Sequence, residues 1–374
     1  MAAIPQKLLS LQQKFEAPVV RQEYDPNAKL AVDVDISICT EEERPRMISI
    51  VNRLAKSEAG RETLEIAAKA GCKFGFLDAS KQSFGTYFSA GFIGLGPNAS
   101  DDKLVSTLCH ESRHAGQAVR MGHIPNRDQL NVSSIIRYSC VKEADAQAYA
   151  VKACKELEMQ GDKGPLETFA KFYPPIYAAY EKALAEQNGV MNDKVVAGTF
   201  KGWYDQMETK QKYEENYILT SMHRALKAFD KGRPEEAYTF KKNVTSEEIV
   251  SLVGWTKNGS YLAGEDPKFL DQDHFLSIGE RTKKDAQDFF KLREEKTGIA
   301  KDSSLENMPT RKDAFARRLP EMGKPLDDQK ASANGKTISK WMAALAANQD
   351  KKRSETSPKQ AVLMKKLVSR KGRN

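Results

Sequence analysis

The sequence predicts an α+β protein that is predominantly helical, and three observations carry this. Helix start and stop signals recur along 40–71, 101–122 and 132–232. Two short stretches, CKFGFLD (72–78) and GTYFSAGFIGLG (85–96), switch to aromatic, β-branched and glycine residues, the composition of short strands. No self-similar period of the kind that builds solenoids or propellers is present, so the elements should fold around a shared core.

Each element follows from its residues. Thr40-Glu41-Glu42-Glu43 is a capping box, predicting a helix to about Leu54. GRETLEIAAKA forms a second helix, closed by Gly71. After the strands, Pro97-Asn98-Ala99-Ser100-Asp101 supplies an N-cap for a helix over about 101–121, stopped by Gly122 and Pro125. A long helix runs from about Val132 to Met159, and 165–232 is almost wholly helical, with breaks at Pro174-Pro175 and Asn188-Gly189. Phe200, Trp203, Tyr204, Tyr213 and Tyr217 recur at helical spacing and read as helix-packing residues. Thr245-Ser246-Glu247-Glu248 opens a short helix, and GSYLAGED is turn and loop. Beyond about 298 apolar periodicity fades; 300–374 is expected to be mostly disordered, with short helices at ISKWMAALAAN and QAVLMKKLV.

Composition narrows the function classes. A chain of 374 residues, 40% hydrophobic and 29% charged, can bury a substantial core, while a mean hydropathy of -0.60 is polar. No apolar run is long enough to span a bilayer, and the N-terminal residues lack the apolar core of a secretory signal. Five widely spaced cysteines without a C-x-x-C pair argue against a disulfide framework or a cysteine-built metal site. They favour a reducing, cytoplasmic compartment, although a basic C-terminal tail also suits some bacterial export routes. The net charge of +8 resides in one place: residues 351–374 hold nine Lys and Arg against one Glu, so the rest of the chain is neutral. A nucleic-acid function for the folded body is therefore not indicated. The tail itself could contact polyanions or anionic membranes weakly.

The chemistry concentrates in His110-Glu111-Ser112-Arg113-His114. Residues i and i+4 lie on one helix face with Cβ atoms ~5–6 Å apart, so two imidazoles can grip one ion. Glu111 is turned ~100° from His110, placed to act as a base on water rather than as a ligand. Leu104, Leu108, Ala115 and Val119 make an apolar stripe beside the histidines, predicting a half-buried site. Arg113 should pair with a surface carboxylate. Two histidines bind zinc weakly, so a third ligand is required. A metzincin arrangement fails, because Arg120 stands where its third histidine belongs and Gln117 where its glycine belongs. The next helix offers Glu143 and, as a rival, Asp145; two residues apart, they point ~200° from each other and cannot both serve. Glu143 is favoured. Alanines at 144, 146, 148 and 150 would let that helix approach closely.

TLCHESRHAGQ together with KEADAQAYA, behind a glycine-rich strand pair, resembles the compact gluzincin-type HExxH zinc metallopeptidases. It is also similar to a bacterial metallopeptidase family, with similarity running over roughly 30–290. The resemblance implies a zincin-like core of short strands packed on the HExxH helix and a ligand-Glu helix. It implies one Zn2+ on His110, His114 and Glu143, Glu111 as catalytic base, and a peptide or protein substrate. The expected organisation is an N-terminal extension (1–30), a zincin-like metallopeptidase domain (31–235), a helical and loop extension of that domain (236–298), and a basic tail (299–374). Many gluzincins place an Asp beside a ligand histidine where this chain has Gln147, whose amide could accept from an imidazole N–H. His123 and Tyr149 are candidate oxyanion donors. GFIGLG could pair with an extended substrate at a sheet edge or simply form a tight hairpin. The competing reading is a catalytically silent scaffold of the same fold that binds a partner.

Overall fold

The computed structural model describes residues 23–77, 84–229, 239–298, 300 and 302–322. Most of the 1–30 extension, the 351–374 tail and the helices expected at ISKWMAALAAN and QAVLMKKLV lie outside the described residues. One compact unit extends through Arg317.

The capping box forms: Thr40 N–H donates to Glu43 at 3.0 Å and Glu43 N–H to Thr40 Oγ1 at 3.3 Å. It leads into α1 (Arg44–Leu54), and Ser57 caps α2 (Glu58–Lys69), which ends before Gly71 in the left-handed region at φ +73°. Three strands follow, β1 (Lys73–Phe76), β2 (Gly85–Phe88) and β3 (Phe92–Leu95). Their order is β1-β3-β2, with β1 parallel and β2 antiparallel to β3. Of the two readings of GFIGLG, the tight hairpin holds and the substrate-pairing edge does not. GFIGLG supplies the central strand, because β1 returns to cover its far side, and the edge beside the histidines belongs to β2.

Ser100 caps α3 (Asp101–Arg120), the helix of HESRH, and Asn131 caps α4 (Val132–Met159). Both bounds agree with the sequence reading to within a residue. Leu104, Leu108 and Ala115 are fully buried, but Val119 is 67% exposed. The apolar stripe understates the packing: α3 is buried all round from Lys103 through Gln117, because α1, α2, the sheet and α4 enclose it. Burial stops a turn before the helix does, which leaves Val119 outside. The small side chains of α4 do what the alanine spacing implied, and it packs directly on α3.

α5 (Gly164–Phe172), α6 (Pro174–Glu186) and α7 (Asp193–Gly202) pack against these two, broken at Pro174 and at Asn188-Gly189 as expected. α8 (Met207–Glu214) runs through a π-helical segment, Glu215–Leu219, into α9 (Thr220–Phe229). After α10 (Ser246–Leu252), a two-stranded hairpin of β4 (Trp255–Thr256) and β5 (Gly259–Ser260) precedes α11 (Asp273–Leu276) and α12 (Glu280–Thr297). Two further helices, α13 (Ser303–Asn307) and α14 (Arg311–Met322), occupy residues where disorder was expected. Polar anchors hold them: Asp302 accepts from the N-terminal Val132 N–H of α4 at 2.9 Å, and Arg311 pairs with buried Glu214. Hydropathy carries no trace of such anchors. Among the described residues, no helix is long and apolar enough to cross a membrane.

β2 lies hard against α3 at Gly85. A Cβ there would stand 2.5 Å from Thr107 Cγ2 and 3.1 Å from Glu111 Cγ. Gly85→Ala should therefore lever the hairpin off α3, at a cost of about 1–3 kcal/mol for overpacking. Urea denaturation measures it, and an unchanged midpoint would show that the hairpin yields freely.

Candidate metal centre

α3 and α4 bring three groups to one point. His110 Nε2 and His114 Nε2 are 3.0 Å apart, and Glu143 Oε2 lies 3.4 Å from the first and 3.6 Å from the second. A tetrahedral ion with arms of about 2.0–2.1 Å needs ligand atoms about 3.3 Å apart. The triangle fits such an ion without rearrangement. His110, His114 and Glu143 are 9%, 8% and 5% exposed, so the site is more enclosed than the stripe suggested. Burial alone would raise the Glu143 carboxyl, but the two imidazoles hold it well below the usual carboxylate range. Burial likewise disfavours a charged His114, yet the Glu143 carboxylate beside it turns the balance upward.

Hydrogen bonds fix the His114 tautomer. Gln117 Nε2 donates to Asp145 Oδ2 at 2.8 Å and to the Lys142 carbonyl at 2.9 Å, so its Oε1 must be the atom 2.8 Å from His114 Nδ1. The imidazole therefore carries its proton on Nδ1 and presents the Nε2 lone pair to the triangle. Glu111 lies to one side. It has a carboxylate oxygen within 4.8 Å of the imidazole nitrogens, and its Oε2 accepts the Tyr87 N–H of β2 at 2.7 Å. That N–H points outward from an edge strand, so the sheet edge and the glutamate face each other. Glu143 Oε1 accepts from the Tyr217 hydroxyl at 2.9 Å, and Tyr213 lies close by, its hydroxyl pKa pushed well up by burial and by the Glu143 charge.

Several sequence expectations are relocated. Asp145, the rival ligand, has both oxygens occupied away from the triangle: Arg113 at 2.9 and 3.0 Å, Gln117 at 2.8 Å, Tyr261 Oη at 2.7 Å and Gly254 N at 3.2 Å. Arg113 pairs with this buried carboxylate and not with one at the surface; both side chains have zero exposure. Its guanidinium lies between the rings of Tyr149 and Trp255, at 4.0 and 3.6 Å. Tyr149 is thereby removed from the site, and its hydroxyl donates to Glu62. His123 is exposed. Gln147 is half-buried and, among the described residues, bonds to neither imidazole: His114 Nδ1 is taken by Gln117, and His110 Nδ1 has no partner among them.

Three residues next to the triangle escaped the sequence reading. Gln117, three residues after His114, was legible in principle, since i and i+3 side chains meet on a helix. Tyr213 and Tyr217 were assigned to packing. Phe200, Trp203 and Tyr204 do pack in the core, but the two later tyrosines turn toward Glu143. Tyr217 lies in the π-helical segment, whose altered turn re-aims its side chains, a common device at functional sites.

The family model described as "Putative metallopeptidase family (DUF6782)" matches residues 29–235, more than half of the chain and all of α3 and α4. The chain belongs to this family. Membership implies a metal and the hydrolysis of peptides, and the buried His110–Glu111–His114 cluster is where a metal could be held. The match ends before GSYLAGED, to which the sequence reading extended the resemblance. No curated protein and no solved structure matches the chain.

Proposed function

We propose that this chain is a gluzincin-type peptidase that binds one Zn2+ through His110, His114 and Glu143 and uses Glu111 as its general base. The observation that carries the reading is the triangle of 3.0, 3.4 and 3.6 Å, close to the edges of a tetrahedral zinc site. A zinc ion there would polarise a carbonyl and acidify water. The protein supplies the rest. Glu111, outside the triangle but beside it, takes the proton of the attacking water and hands it to the departing amine. Tyr213, beside Glu143, replaces His123 and Tyr149 as candidate donor to the oxyanion, while the Tyr217 hydroxyl donates to Glu143 and orients it. The outward edge of β2, with Tyr87 N–H directed at Glu111, offers an extended peptide a strand to pair with beside the base. The substrate is accordingly a peptide or protein segment in extended conformation. Contact of the 351–374 tail with polyanions is a separate proposal, resting on its charge.

Metal content tests the reading. Purified protein should carry about one zinc per chain, and His110→Ala should lose most of it. Zinc below about half an equivalent that does not change in His110→Ala would overturn the proposal.

A further inference from the structure

We infer that the 254–261 segment, the β4–β5 hairpin with the residues at its ends, sets the metal affinity of the centre through the relay Asp145–Gln117–His114. This rests on the metal reading of the triangle and adds a part that the family match, ending at 235, does not include.

The relay is continuous. His114 Nδ1 meets Gln117 Oε1 at 2.8 Å, Gln117 Nε2 meets Asp145 Oδ2 at 2.8 Å, and Asp145 Oδ1 receives Tyr261 Oη at 2.7 Å and Gly254 N–H at 3.2 Å. The hairpin acts a second time through Arg113, which Trp255 holds by its carbonyl at 2.6 Å and its ring. Arg113 then grips Asp145 with two nitrogens. Asp145 thus accepts five hydrogen bonds, four of which rest directly or through Arg113 on 254–261. Gly116 on α3 lets Trp255 sit this close, since a Cβ there would stand 2.6 Å from the indole.

The physical consequence concerns His114. Neither amide end of Gln117 can exchange roles while Asp145 stays an acceptor. Its Oε1 therefore keeps the imidazole proton on Nδ1, orients the ring, and raises the basicity of Nε2. Direct carboxylate–histidine pairs achieve this in many metal sites; here a glutamine transmits it from a carboxylate on the neighbouring helix. The hairpin, remote in sequence, holds that carboxylate still. Gln117 and Tyr261 are positioning residues.

The test is zinc affinity of the full chain by competition with a chromophoric chelator, alongside thermal unfolding of the zinc-free protein. Gln117→Met removes the acceptor at similar length and should weaken zinc about 10–100-fold. Tyr261→Phe removes one donor to Asp145 and should weaken zinc by a smaller factor, about threefold to tenfold. Val196→Ala, a core change on α7, should lower the unfolding temperature and leave zinc affinity unmoved. If wild type binds zinc and both relay variants bind it equally well, the relay inference fails alone. If affinity merely tracks unfolding temperature across all three variants, the hairpin is only structural and the inference fails. Absence of zinc from the wild type would defeat the metal reading itself.

Discussion

Glu111→Gln is expected to retain zinc and to lose peptide cleavage by about 10²–10⁴-fold, the usual contribution of a general base. Glu111 is not one of the three proposed ligands, so removing its charge leaves the His110, His114 and Glu143 atoms of the triangle in place. Glutamine has the same shape, and its amide oxygen can still accept the Tyr87 N–H that now meets Oε2 at 2.7 Å. What disappears is the capacity to take a proton. Zinc content and kcat/KM on an unstructured protein substrate, measured on one preparation, separate binding from chemistry. Equal kcat/KM in the two proteins would remove Glu111 from the mechanism, and loss of zinc would make it a ligand.

Arg113→Met is expected to destabilise the fold by roughly 3–5 kcal/mol, the cost of leaving a buried carboxylate without its counter-charge. Both partners have zero exposure, and the guanidinium also fills the space between Tyr149 and Trp255. Urea denaturation of the zinc-free protein provides the measurement, and a change below about 1 kcal/mol would show the pair to be dispensable. The pH dependence adds an independent sign. Burial raises the Asp145 carboxyl, but the Arg113 charge and the donors around it bring it below its ordinary 3.8. A carboxyl depressed on folding stabilises the native state above its unfolded pKa, and that contribution is lost as pH falls through the folded value. Without Arg113 the folded pKa rises, so acid unfolding should begin at higher pH in the variant.

Much of the site could be read from the chain, because its logic is local. Helical spacing alone places His110 and His114 on one face with Glu111 to the side, and the caps at Thr40, Ser57, Ser100, Asn131 and Thr245 are written in short motifs whose partners lie within a few residues. The glycine at 71 and the breaks near 174 and 188 are equally local. Glu143 could be nominated because a helix of small residues must pack closely on another.

What the sequence alone determined, then, is the run of helices between Thr40 and Phe229 with the short one after Thr245, the imidazole pair with its adjacent carboxylate, and the confinement of the net charge to the last residues. Only the tertiary structure decided that Asp145 is saturated by Arg113, Gln117, Tyr261 and Gly254, that β2 and not β3 faces Glu111, that Tyr213 and Tyr217 reach Glu143, and that 302–317 belongs to the fold. The reason is physical. Caps and i, i+4 pairs are satisfied within one or two turns, so propensity and spacing encode them. A buried charge is satisfied by whichever donors packing delivers, and those bonded to Asp145 come from as far as 116 residues along the chain.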